Sequence, residues 1–352
     1  MLVYWTMYAL PAFCTLLLGT SDLRTQRPRV GMSLLLCAFA VLVGLRYQVG
    51  TDWFNYLRTV NQISYYSLLD TIKYKDPGFG FLTWVSTRLG FGIYGANVVC
   101  GGALMMGISR FAKRQPDAWL AVTAAIPYLV VVVGMGYVRQ AAAIGFILVA
   151  ISNFEERRYI RFTIWMIMAA LFHGPSAIIL PLAAFALVWE RKELAIPIGI
   201  LSVAVFSVLL EHRISTFFSI YIDAEYSSSG AAIRLVMNAI PAVIYLLLRN
   251  RFGFDDRSKF LWTEFSLVTI LLLAVLPVFP SSTVLDRLSL YFIPLQMLSF
   301  GRLPLAFGAG LAGQRIISYL TILYYGAAMF VWLHFASNAH NWIPYRFVFF
   351  ST

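Results

Sequence analysis

AWLAVTAAIPYLVVVVGMGYVRQAAAIGFILVA, residues 118–150, decides the fold class. Arg139 is its only charged residue, and on either side of it lies an apolar run approaching the roughly 17 to 25 helical residues needed to cross a hydrocarbon core. Such runs recur along the whole chain. They lie near 2–19, 30–45, 91–109, 117–134, 138–153, 162–173, 175–189, 194–210, 233–248, 260–279, 287–300 and 316–334. The sequence therefore predicts an all-α polytopic membrane protein of about twelve transmembrane helices, a single integral membrane domain over residues 1–352. Composition agrees: 60% of residues are hydrophobic and 12% charged, whereas soluble domains carry about 25% charged residues. A soluble protein is excluded.

Cys14, Cys37 and Cys100 lie inside apolar runs without CxxC spacing or neighbouring His or carboxylate, so they read as core residues and no metal site is expected. The first run, Leu2 to Leu18, has no Lys or Arg before it and no clear cleavage site after it. It reads as an uncleaved span. The net charge of +11 sits in short clusters between apolar runs rather than along one face, which argues for membrane topology and against a nucleic-acid partner.

Lys and Arg sort by alternate loops. Seventeen of the 27, in clusters such as Arg24–Arg27–Arg29, Arg110–Lys113–Arg114 and Arg157–Arg158–Arg161, fall on one side, which the positive-inside rule makes cytoplasmic. The other ten, among them Arg46, Arg139, Arg234, Arg287 and Arg346, fall outside. Two longer outer segments result, one at 46–90 with interfacial helices and one at 211–233. In the first, Trp53, Tyr56, Val60, Ile63, Ser67 and Asp70 follow the helical repeat imperfectly. The stretch FGFLTWVSTRLGFG that follows suits a short re-entrant or interface helix, because Arg88 would be costly in open lipid.

Polar residues of chemical interest cluster on that outer side. In RYQVGTDWFNY, Arg46 can clamp phosphate oxygens through paired hydrogen bonds, and Asp52 can take a proton or orient the arginine. An interfacial anchor and a helix N-cap explain the same segment equally well. Arg139 sits where two spans meet, followed by small residues that allow close helix packing, and its charge near membrane depth favours anion binding over structural pairing. His173 in LFHGPSA ends one apolar run and can act as a general base, or simply hold a turn. Asp286 and Arg287 in SSTVLDRLSLYF form a neighbouring pair or a salt-bridged cap, and Tyr345 and Arg346 close the chain in NWIPYRFVFF. Several arginines and few acids in one outward cavity suit a polyanionic amphiphile, most simply a lipid carrying pyrophosphate.

The ordered series RYQVGTDWFNY, GYVRQAAA, LFHGPSA, LDRLSLYF and WIPYR, spread over nearly the whole chain, resembles the EpsG/Wzy family of bacterial polysaccharide polymerases. The resemblance implies a type C membrane glycosyltransferase without cofactor or metal, in the bacterial cytoplasmic (inner) membrane with its active site facing the periplasm or exterior. Its substrate would be an undecaprenyl-pyrophosphate-linked oligosaccharide, and its partners membrane lipids, a chain-length regulator and export machinery. Arg139 and Arg46 would then stabilise the leaving pyrophosphate, with Asp52 or His173 as base, Asp52 preferred for sharing a motif with Arg46. Tyr56, Asp286, Arg287, Tyr345 and Arg346 would bind substrate, and sugars could stack on Trp53, Tyr56 or Tyr345. One departure is KDPGFGF, with Asp76 where a glutamate is expected, and no role is assigned to it. Three rivals are a lipid-linked oligosaccharide flippase, a membrane acyltransferase using His173, and a non-enzymatic scaffold. Against the first, most spans lack ionisable residues and no repeat is evident; against the second, the short inner loops offer no acyl-carrier site.

Overall fold

The computed structural model describes residues 1–18, 30–188, 191–211, 230–308 and 310–350. The Arg24–Arg27–Arg29 cluster and most of the outer segment 211–233 lie outside the described residues. Each of the twelve apolar runs overlaps a helix, and the described residues contain no strand beyond one isolated bridge, Arg46 to Phe347. Among the described residues six helices are long and apolar enough to cross a membrane, or seven if the pair Ser282–Phe292 and Pro294–Phe307, bent by 46°, is one span. Leu2–Leu18, Val30–Gly44, Tyr159–Phe172 and Gly174–Leu187 are shorter apolar helices.

The chain packs as two compact units, Met1–His173 with Arg315–Thr352, and Gly174–Gln314. In the first, the stretch that decided the fold class forms the core. Ala118–Gly136 is 94% buried and Val138–Glu155 is 89% buried, as expected of helices apolar on every face, whereas Gly310–Phe335 is only 28% buried. Small residues set the closest approach. A methyl group built on Gly107 would lie 2.2 Å from the Gly145 carbonyl oxygen, and one on Gly145 2.4 Å from that of Ala103. Gly92–Ala112 and Val138–Glu155 therefore meet backbone to backbone.

Pro127 removes a donor from the helix through Ile126–Val133, which is wound as a π-helix. The Val131 carbonyl accepts a hydrogen bond at 2.9 Å from Trp342 Nε1, and the Trp342 carbonyl accepts one at 2.6 Å from Tyr4 Oη. The chain's last turns are thus pinned to the core helix. Trp342→Phe removes the donor to Val131 and leaves a smaller ring in a fully buried site, so a loss of at least about 1–3 kcal/mol is expected, read as a lower thermal midpoint of the detergent-solubilised protein. An unchanged midpoint would show that the bond contributes nothing.

The segment 46–90 holds three short helices rather than one continuous pattern. Trp53–Ile63 buries Trp53, Tyr56, Val60 and Ile63, but Ser67 and Asp70 do not continue that face. They form a capping box that starts a separate helix, Leu68–Ile72. The third, Pro77–Arg88, is the expected short helix before the next span; Arg88 lies over the Trp84 ring at 5.4 Å, and Trp84 Nε1 donates to the Tyr66 carbonyl at 3.0 Å. The main chain after Trp342 returns to this segment. Tyr47 N donates to the Arg346 carbonyl and Val348 N to the Leu45 carbonyl.

In the second unit the helices Ala231–Leu248 and Pro294–Phe307 carry a buried polar ladder. Gln296 Nε2 donates to Asn238 Oδ1 at 2.5 Å, Asn238 Nδ2 to the Ser289 carbonyl at 2.9 Å, and Ser299 Oγ to the Pro241 carbonyl at 3.0 Å. Each donor finds an acceptor, which burial in an apolar bundle requires.

Candidate functional site

Arg139 begins the helix Val138–Glu155, directly after the chain breaks helical geometry at Tyr137. Its Nη1 donates to Asp76 Oδ2 in an ion pair. Asp76 is almost wholly buried at the N-terminus of Pro77–Arg88, while the Arg139 side chain keeps 20% of its surface exposed. Two rings wall the guanidinium, Tyr56 and Phe79, each 5.9 Å from it and 5.7 Å from one another. Three separate elements thus build one arginine site. A buried carboxylate fixes one edge of the fork, and the exposed remainder can meet an anion.

The end of Tyr159–Phe172 packs beside this pair. A methyl group on Gly78, two residues after Asp76, would lie 3.0 Å from Leu171 Cβ and 3.1 Å from the Phe172 ring. His173 follows at once, half-buried, its main-chain N bonded to the Ala169 carbonyl at 2.9 Å. The structure therefore brings the end of the helix that carries His173 to the neighbourhood of Asp76 and Arg139, although 34 residues separate Arg139 from His173 in sequence.

Arg46 is placed differently from the phosphate clamp that the sequence suggests. It is fully buried, with Nη1 donating to the Val43 carbonyl at 2.5 Å and Nε to the Val49 carbonyl at 3.0 Å. Its hydrogen bonds thus go to main-chain carbonyls rather than to Asp52. The Trp53 ring lies 5.6 Å away, and Tyr4, Tyr56, Tyr345 and Cys100 face the guanidinium. Burial pulls its pKa down to about 10, so it stays charged at neutral pH. Nη2 is buried without a hydrogen-bond partner. The loop beyond it approaches the break before Arg139 closely enough to need glycine: Gly50 has φ of 100°, and a methyl there would lie 2.3 Å from the Met135 carbonyl oxygen.

Asp52 occupies the N-cap position of Trp53–Ile63 without a side-chain cap bond, and Asn55 Nδ2 donates to its Oδ1 at 3.5 Å. Trp53 is sunk between Tyr47 and Tyr94, so its ring is not offered to a sugar. Tyr345 Oη donates to the Leu42 carbonyl at 2.8 Å and Arg346 Nη1 to Gln48 Oε1 at 3.0 Å. Burial pushes the Tyr345 phenol up to about 12, so it remains a neutral donor. Both line a groove of about 820 Å³ with Tyr47, Gln48 and Phe347.

A model of the EpsG family matches residues 31–347. The chain belongs to the EpsG family. No curated protein matches it, and no solved structure does. The family points to a polymerase of polysaccharide biosynthesis, and the matched region takes in every residue of the arginine site.

In this EpsG-family protein the second unit holds its own charged pair. Asp286 accepts from Arg234 through both oxygens, at 2.7 Å each. The sequence paired Asp286 with Arg287, but adjacent helical residues diverge, and the partner comes from the facing helix Ala231–Leu248. Arg287 is half-buried one residue further on. Sequence reasoning assigned no role to Asp76, noted only as standing where the resemblance expects a glutamate, nor to Arg234, named only among the outer basic residues; the Asp-Pro start of a helix was a further signal for the first. Among the described residues no three His, Cys, Asp or Glu side chains gather as a metal site.

Proposed function

We propose that this EpsG-family protein is a polysaccharide polymerase acting at the outer face of the bacterial cytoplasmic membrane, crossing it about twelve times. The growing glycan is the donor, carried on undecaprenyl pyrophosphate. A hydroxyl at the non-reducing end of a new lipid-linked unit attacks the anomeric carbon of the donor's reducing-end sugar. The new glycosidic bond forms as the sugar–phosphate bond breaks, undecaprenyl pyrophosphate leaves with the bonding electrons, and Asp52 or His173 receives the hydroxyl proton.

The observation that carries this reading is the partly exposed Arg139 guanidinium held by Asp76 and walled by Tyr56 and Phe79. A pre-oriented arginine stabilises charge that develops on a departing pyrophosphate without reorganising during the step. The groove of Tyr345 and Arg346 suits the lipid-linked unit, with one cation and several rings. Arg46 ties the main chain on either side of it, next to the segment that carries Asp52. Arg234, Asp286 and Arg287 supply a second charged region for the substrate, and a chain-length regulator and export machinery are the expected protein partners.

The test is incubation of the purified protein with its cognate lipid-linked repeat unit, without ATP or metal, followed by gel separation of products. A ladder of chain lengths is expected. Asp52→Asn and His173→Gln then identify the base, because the true base should cost about 10²–10⁴-fold in rate and the other little. Authentic substrate giving no ladder overturns the proposal.

A further inference from the structure

The outer segment contains a second cavity that the proposed chemistry does not use. It measures about 440 Å³, within the usual range for small-ligand sites, and is lined by Gln62, Tyr66, Asp70, Lys73, Tyr74 and Lys75. These residues come from the end of Trp53–Ile63, from the turn after it, from Leu68–Ile72 and from the link to Asp76. The cavity adjoins the arginine site: Tyr74 lies within electrostatic reach of Arg139, and Lys75 immediately precedes Asp76. Tyr74 is fixed by close packing, since a methyl on Gly80 would meet Tyr74 Cβ at 3.0 Å.

The lining combines three recognition elements. Tyr66 and Tyr74 are half-buried rings, each with an apolar face and a polar tip. Gln62 Nε2 donates to Tyr66 Oη at 2.7 Å, which orients an amide and a hydroxyl together at one wall. Lys73 and Lys75 line the cavity with one carboxylate, Asp70. That carboxylate is already engaged by the Ser67 main-chain N at 3.0 Å and hydroxyl at 2.7 Å, and those bonds hold its pKa below the usual range. Rings for the faces of a sugar, an amide and hydroxyls for its OH groups, and an excess of positive charge specify a saccharide bearing an anionic group.

We infer that this cavity is a glycan subsite that binds an acidic sugar of the lipid-linked chain beside the Arg139 site, so that it selects repeat units containing a negatively charged residue. The inference rests on the polymerase reading for its biological role, but its binding chemistry can be measured apart from it. A membrane phosphate is the competing source of negative charge, because Leu68, Leu69 and Ile72 of the adjoining short helix are exposed and apolar.

The experiment titrates the full-length protein, in nanodiscs of zwitterionic lipid, with two free tetrasaccharides. One alternates glucuronic acid with N-acetylglucosamine and the other is N-acetylglucosamine alone. The acidic compound should bind about 5- to 10-fold more tightly at low salt, the effect of two partly solvated charge contacts, and the preference should fall below about twofold in Lys73→Gln/Lys75→Gln. Both lysines are exposed; Tyr66→Leu should weaken both saccharides alike, providing a second reading of the cavity. Equal binding of the two compounds by the wild type overturns the inference. So does loss of the preference when phosphatidylglycerol replaces part of the lipid at constant ionic strength, which would assign the cavity to a headgroup. A saccharide preference without a polymer ladder would leave the subsite standing and overturn the polymerase reading; a ladder without the preference would do the reverse.

Discussion

Arg139→Ala is expected to abolish chain extension and also to destabilise the protein, and the two losses can be separated. Removing the guanidinium leaves Asp76 buried without its counter-charge, for which about 3–5 kcal/mol is typical. Arg139→Ala/Asp76→Ala removes both charges and should recover much of that stability while remaining inactive. Arg139→Lys keeps the charge but loses the planar fork that can face Asp76 and an anion at once, so it should fold and retain about 1% of activity or less, in line with the loss of one transition-state donor. Asp76→Asn preserves shape and frees the arginine from its ion pair; extension should slow with a smaller loss than in Arg139→Ala. The measurements are the polymer ladder and the thermal midpoint of each purified variant. If the double alanine variant regains activity, Arg139 has no contact with the reacting group and its role is architectural.

Much of the architecture was legible because apolar runs are a one-dimensional signal. Each of the twelve runs overlaps a helix, although among the described residues only six or seven are long and apolar enough to cross a membrane, and the small residues after Arg139 announced a close crossing that Gly145 makes. The partners of charges were not legible. Asp76 and Arg139 are 63 positions apart and Arg234 and Asp286 are 52 apart, so each pair exists only once helices have docked. Sequence proximity did not solve that problem. It linked Arg46 to Asp52, whereas Arg46 bonds to main-chain carbonyls three residues away on either side, and it gave no hint that Asp286 takes Arg234 of a neighbouring helix as a partner. The broken pattern from Trp53 to Asp70 had a local cause as well: Ser67 and Asp70 read as an imperfect helical face, but they are the cap of the next helix.

Gly145→Val should be strongly destabilising although it removes no polar group. The position lies six residues, about 9 Å of helix, beyond Arg139, so this crossing fixes how far the arginine reaches toward Asp76. A side chain there meets backbone, namely the Ala103 carbonyl at 2.4 Å and Leu104 Cα at 2.7 Å, and backbone cannot swing aside as a flexible side chain can. Helix separation is the only relief, and it sacrifices packing along both helices. Alanine already introduces the clashing atom, so Gly145→Ala should cost about 1–3 kcal/mol and valine more. Gly102 is the control: it lies on the same partner helix, and a methyl there meets nothing within 4 Å, so Gly102→Ala should be neutral or stabilising by up to about 1 kcal/mol through helix propensity. Monodisperse yield after detergent extraction, thermal midpoint and polymer ladder should fall together in the order Gly102→Ala, Gly145→Ala, Gly145→Val. A Gly145→Val protein that extracts and melts like the wild type but makes no polymer would place the effect of the crossing on the arginine's position rather than on the stability of the fold.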